Sequence, residues 1–405
     1  MNASSSDPSA SLSRAGMPHA DSPIHADAVA HPTRLPADDP SIAIPLGPRA
    51  WIVVTLVTLV MLTILPRANE WREPFRPSDH WRQPTEAAED YWQFRRFERQ
   101  VVRDGAIPVL GDSAVWGLYA KPSETLSAEL SRRLDGRPVA NLGVQGLSPL
   151  TLEGLQSLAP CDSPPLLLFN PIWMTSPRRD LAAIAETSDL ARLNHVTLLP
   201  QWFDLPPAYA PTLEERLSRS ADRTLTIRQF SQHLRIDDLG GRDLPSWLRE
   251  HPRALPWQGF DDRVLAPADE PGEPVRRRVP SGRETTYDWM EPEESNQYRA
   301  FVRTAQRLSD RGALPFVVVA RLDPTGRSES CLEQERKIGE RLRSELAARG
   351  IPSLRLESGV DKMADASHPT PDGYRSWADE LIASTEFGRW LASRSSSPSL
   401  RSPRL

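Results

Sequence analysis

From about residue 85 to 392 the chain alternates two kinds of segment: short apolar runs without periodicity, and longer segments with helical spacing and recognisable ends. A strand covered on both faces has no polar side to alternate. Flat apolar runs separated by helices therefore point to an α/β fold with a central parallel sheet. The strand candidates are Ile107 to Leu110, Val139 to Leu142, Pro165 to Phe169, Leu314 to Ala320 and Ser353 to Leu356. The helix candidates are Thr85 to Arg103, Ser123 to Leu134, Ser148 to Leu158, Ser295 to Arg311, Ser330 to Arg349 and Pro371 to Ala392. Ser123, Ser148 and Ser295 suit N-caps, Pro149 and Pro371 suit first turns, and Gly312 and Gly350 suit positions just past a C-terminus.

The flanks differ. Residues 1–48 are rich in Ser, Ala, Pro, Asp and His and read as a disordered tail, because they bury too little surface to offset the entropy of ordering. Ala50 to Leu65 is uncharged and apolar on every face, which predicts a membrane anchor over residues 49–67, with the membrane contacted through residues 50–66. Sixteen residues span about 24 Å, less than the roughly 30 Å of a hydrocarbon core, so the span needs its flanks or a thinned bilayer. Arg34 and Arg49 precede the run, whereas Arg67, Arg72, Arg76 and Arg82 follow it. That bias opposes export of the C-terminal part. Residues 68–104 read as a linker and lead-in helix, 105–392 as the main domain, and 393–405 as a second disordered tail.

Residues 204–294 interrupt the alternation, being dense in Pro, Arg, Asp and Glu, and read as an irregular insertion. Its Trp247, Trp257 and Trp289 either stack on sugar rings or pin the insertion to the domain. A net charge of -5 removes the footprint expected of a nucleic-acid partner, and runs such as Arg276 to Arg278 read as solvated loop charge. Two cysteines, Cys161 and Cys331, are too few for a disulfide framework or a thiolate zinc site. No cluster at metal-ligand spacing stands out, so the expected chemistry is cofactor-free.

The chemistry-bearing residues sit where strands end. Ile107 to Leu110 runs into Gly111-Asp112-Ser113 ahead of a helix, placing Ser113 at the carboxyl end of a parallel strand, where ligands bind. A serine is a weak nucleophile until a base takes its proton. His368 is the candidate base, and Asp365 three residues earlier can fix its tautomer. Of the other histidines, His19, His25 and His31 lie in the tail, and His80, His195, His233 and His251 have no comparable setting. Asn141-Leu-Gly143-Val-Gln-Gly146 and Asn170, each following a strand, can supply oxyanion donors or be ordinary turn residues.

In this order of blocks the chain resembles the SGNH (GDSL-like) hydrolase superfamily over roughly residues 105–390, the insertion excepted. The resemblance implies a flavodoxin-like three-layer sandwich. It also implies Ser113 as nucleophile, Asp365 and His368 as its acid–base partners, and an oxyanion hole made by Ser113, Gly146 and Asn170. Two features depart from the family pattern: Phe169-Asn170-Pro171 replaces Gly-x-Asn-Asp, and no Leu follows the Ser. With its N-terminal apolar run the chain looks like the membrane-linked branch that acylates or deacylates cell-surface polymers. The resemblance then implies an acylated glycan or small ester substrate and a domain outside the cytoplasm. Two other readings stay open: a non-catalytic polysaccharide-binding or assembly module, and a lipase or thioesterase at the membrane.

Overall fold

The structure, a computed structural model, describes residues 47–72, 75, 77–183, 194–237, 239–250 and 286–396. Contacts divide the chain into two units, 1–57 and 58–405, and the second carries the sheet. Most of the tail expected over 1–48, Trp257, and Arg276 to Arg278 lie outside the described residues.

Five strands form one parallel sheet: β1 (Ile107–Gly111), β2 (Val139–Gly143), β3 (Leu166–Phe169), β4 (Phe316–Val319) and β5 (Ser353–Arg355). Their order is β2-β1-β3-β4-β5. This is a doubly wound arrangement whose direction of winding reverses between β1 and β3, opening a crevice at their carboxyl ends. The flat apolar pattern follows from coverage on both faces. Leu110, Leu142, Leu167, Phe169, Val317 and Val319 pack on one side with α2 (Tyr91–Arg103), α5 (Pro149–Leu158), α9 (Asn296–Asp310) and α10 (Glu329–Ala348). Ile107, Val109, Leu166, Leu168, Phe316 and Val318 pack on the other. There they meet α4 (Leu126–Arg133), α11 (Pro371–Ala383) and α12 (Thr385–Ser396).

Several expectations need correction. The helix predicted over 85–103 is a short turn, Thr85–Ala87, followed by α2 with Asp90 as its cap, and Thr125 rather than Ser123 precedes α4. The predicted helix over 371–392 breaks at Ser384, whose extended backbone ends α11 and whose hydroxyl accepts from Phe387 N in α12. A short polar side chain that bonds its own backbone competes with a continuing helix. That second helix runs to Ser396, so residues 393–396 are not tail. The segment 204–294 is irregular at its described ends, 204–212 and 286–294, but between them it holds α6 (Leu213–Thr224), α7 (Thr226–Asp237) and α8 (Leu244–Glu250). Thr212 and Glu215 form a capping box at the start of α6, a signal that the Pro and charge density of the region obscured. Helix α7 docks on α2 through Phe230 against Trp92, ring centroids 5.4 Å apart, and through a buried His233–Asp90 pair.

The apolar N-terminal run extends beyond the predicted boundary. Helix α1 (Pro48–Arg72) continues through Pro66, and Pro48–Glu70, 23 residues, is long and apolar enough to cross a membrane. At 1.5 Å per residue it spans about 34 Å, which removes the shortfall expected of sixteen residues.

Candidate active site

Strand β1 delivers Asp112 and Ser113 to the crevice. Asp112, extended and buried, caps the one-turn helix α3 (Ser113–Trp116) by accepting from Ala114 N at 2.9 Å. Far-off side chains satisfy the carbonyls of that turn. Asn141 Nδ2 donates to Val115 O at 3.0 Å, Arg82 Nη1 to Trp116 O at 2.8 Å, and the Tyr374 hydroxyl to Ala114 O at 2.6 Å. Arg82 also lies 3.8 Å over the Trp116 ring and is fully buried. The Ser113 turn is thereby tied to β2, α11 and the segment before α2. Such fixed geometry is what a serine needs if its hydroxyl is to stay poised for attack.

The second part comes from the loop ahead of α11. Asp365 Oδ1 accepts from the backbone N–H groups of Ser367 at 2.8 Å and His368 at 3.0 Å, so the three-residue spacing folds the loop around its own carboxylate. The loop is closed by Ala364 N to His368 O and Thr370 N to Lys362 O, at 2.8 and 2.9 Å. Asp323 N and Arg327 Nη2 both donate to Ala366 O, at 3.0 and 3.2 Å, and Arg327 is itself held by a buried ion pair with Glu335 at 3.0 Å. Gly373 is required at this corner, because a Cβ there would stand 2.6 Å from Lys362 O.

The two parts meet. Ser113 Oγ lies 2.7 Å from His368 Nε2, and His368 Nδ1 lies 2.8 Å from each oxygen of Asp365. The carboxylate can only accept, so it takes the Nδ1 hydrogen and leaves the Nε2 lone pair facing the serine hydroxyl. Tyr119 donates to Asp365 Oδ2 at 3.3 Å and sets its ring edge-on to the imidazole, centroids 5.7 Å apart. Burial would raise the Asp365 carboxyl, but the hydrogen bond and charge of His368 and the two backbone donors overcome it and hold the group at about 2. Burial dominates at Asp112 instead and raises its carboxyl, against the opposing pull of His368, Ala114 N, Trp173 and Asn170.

Ser113, His368 and Asp365 open onto a cleft of about 330 Å³, lined also by Asp112, Tyr119, Gly146, Ile172, Trp173 and Arg179. Its size suits a small group rather than a whole polymer. Gly146 takes φ +75°, which favours glycine, and a Cβ there would also displace the Asn194 side chain. Asn170, expected to point into the crevice, is 2% exposed and donates through Nδ2 to Asp112 Oδ2 at 2.9 Å. The cleft-lining residues do not include it. An amide nitrogen carries two hydrogens, and Asp112 uses one of them.

Tyr119, Trp173 and Arg179 were not legible as site residues. Trp173 follows Asn170 by three positions, and its indole N–H reaches the same Asp112 oxygen at 2.9 Å. Trp289, a candidate sugar platform, packs instead against the core beside Tyr287, and neither it nor Trp247 lines the cleft. Comparison with protein-family models and with curated proteins finds no match to this chain.

Proposed function

We propose that the chain is a membrane-tethered serine esterase or O-acyltransferase of the SGNH type, acting on O-acyl esters of extracytoplasmic glycans. The observation that carries this reading is the line Ser113 Oγ, His368 Nε2 and Nδ1, Asp365, with links of 2.7 and 2.8 Å, at the carboxyl end of β1. Those atoms converge from positions 255 residues apart, which turn chemistry alone does not require.

The reaction follows from the geometry. As Ser113 Oγ bonds the acyl carbon, its proton passes to His368 Nε2, and Asp365 stabilises the resulting imidazolium. The negative charge that builds on the carbonyl oxygen is met by the N–H groups of Ser113 and Gly146, while Asn170 holds Asp112 behind the Ser113 turn. His368 then gives its proton to the departing alkoxide as the C–O bond breaks, leaving an acyl-serine. An incoming water or sugar hydroxyl reverses the sequence, and the acyl group leaves on it. The size of the cleft and its wall of Tyr119, Ile172 and Trp173 support a short acyl group beside one sugar-sized alcohol. Helix α1 supports the tether, and the SGNH block order supports the family.

A fluorophosphonate probe on the full-length chain tests the reading. One label per chain at Ser113, lost in His368→Ala, is expected. Folded protein that takes no label would refute the enzyme and leave the binding-module reading.

A further inference from the structure

His195 lies outside the triad and nearly out of solvent, at 1% exposed. Its Nε2 is 2.8 Å from Gln145 O and its Nδ1 is 3.0 Å from the Tyr91 hydroxyl, while its own backbone N–H donates to Glu89 at 3.3 Å. Burial pushes the imidazole below its usual range, against the pull of the Gln145 carbonyl and of Glu89, so the ring is neutral with a single N–H. A carbonyl only accepts. The hydrogen therefore sits on Nε2, and Nδ1 accepts from Tyr91. His195 adopts φ +57°, in the left-handed region, where non-glycine residues are uncommon although histidine is among the more tolerant.

The carbonyl it grips belongs to a turn that faces the cleft. Leu147 N donates to Val144 O at 3.3 Å, which makes Gln145 and Gly146 the central pair of a β-turn. Gly146 has positive φ and Gln145 does not, the signature of type II. Types I and II differ by rotation of the central peptide through about 180°, and in a planar trans peptide the C=O and N–H point opposite ways. The same turn can thus offer the cleft either the Gly146 N–H, an oxyanion donor, or the Gln145 carbonyl, which repels an oxyanion. Gly146 lines the cleft, whereas Gln145 does not.

We infer that His195 is a positioning residue: by holding Gln145 O it fixes the 145–146 peptide in the type II orientation and keeps the Gly146 N–H aimed at the oxyanion. The inference rests on the acyl-transfer reading above and names the device that prepares its oxyanion hole. The Tyr91 hydroxyl fixes the ring, the ring fixes the peptide, and the peptide presents the donor.

The test compares the full-length chain with His195→Phe, His195→Asn and His195→Gln on p-nitrophenyl acetate and on its thiono analogue, whose sulfur accepts hydrogen bonds poorly. Phe removes the donor and Asn falls short of Gln145 O, whereas Gln reaches it. Phe and Asn are expected to lower kcat on the oxo ester about 10²-fold with KM nearly unchanged, as loss of one oxyanion donor does. The ratio of oxo to thiono rates should fall with it, and Gln should recover most of both. Should the Phe variant not fold, the Asn and Gln pair decides. Wild-type kcat in the Asn variant, or a loss of kcat with an unaltered oxo-to-thiono ratio, overturns the positioning role while the labelling of Ser113 still stands. Wild-type protein that neither labels nor hydrolyses the ester overturns the acyl-transfer reading and this inference together.

Discussion

Among the described residues are two histidine–aspartate pairs of nearly equal length, His368–Asp365 at 2.8 Å and His233–Asp90 at 2.7 Å. The first lies on one loop, partly open to solvent, with side chains 13% and 21% exposed, and its free nitrogen meets a serine. The second joins α7 to the N-cap of α2 and is sealed, at 1% and 0%. Asp90 also caps α2 by accepting from Gln93 N at 2.9 Å. A paired imidazole is therefore not in itself a site. Buried, it is a clasp that fastens the 204–250 segment to the domain; at the mouth of a cleft with a serine hydroxyl beside it, the same pair is placed to act as a base.

Substitutions in each pair can break or sharpen that contrast. Ser113→Ala should reduce ester turnover by about 10⁴- to 10⁶-fold with little change in thermal stability, measured by steady-state hydrolysis and calorimetry. Asp365→Asn should cost about 10⁴-fold in kcat, because the amide favours the wrong tautomer of His368. The matching change in the sealed pair, Asp90→Asn or His233→Ala, should destabilise by about 3–5 kcal/mol in denaturant unfolding and leave the labelling rate of folded Ser113 unaltered. A large loss of labelling there would abolish the distinction between clasp and base. Asn170→Ala removes a donor from the buried Asp112 carboxylate and should destabilise by about 1–3 kcal/mol in denaturant unfolding.

The smallest effect concerns pH. Asp365 is held below its ordinary 3.8, at about 2, so the folded state binds its proton less readily than the unfolded chain. Its contribution to stability is complete above pH 4 and fades as pH falls from about 4 to 2. The stability gap between wild type and Asp365→Asn should narrow over that window, and a gap that stays constant would remove the charge pairing from the account.

Much of this was written in local pattern. The flat runs at 107–110, 139–142 and 165–169 became strands within a residue or so, because both sheet faces are covered and no alternation survives. Ser113, Asp365 and His368 could be singled out because each sits in a short motif whose function is local: a strand end, a cap, a loop closing on its own carboxylate. Helices α6 and α7 were obscured because a window rich in Pro and charge outweighed one capping box.

The sequence by itself determined the order of the five strands and of the helices between them outside the 204–294 segment, the apolar N-terminal helix, and Ser113, Asp365 and His368 as candidates, since these depend on neighbours a few positions away. Only the tertiary structure decided that Asn170 turns toward Asp112, that Tyr119, Trp173 and Arg179 wall the cleft, and that His195 and His233 are both gripped by distant partners. The physical reason is that hydrogen bonds between residues 50 to 143 positions apart are set by how elements pack, and no local spacing encodes which donor meets which acceptor.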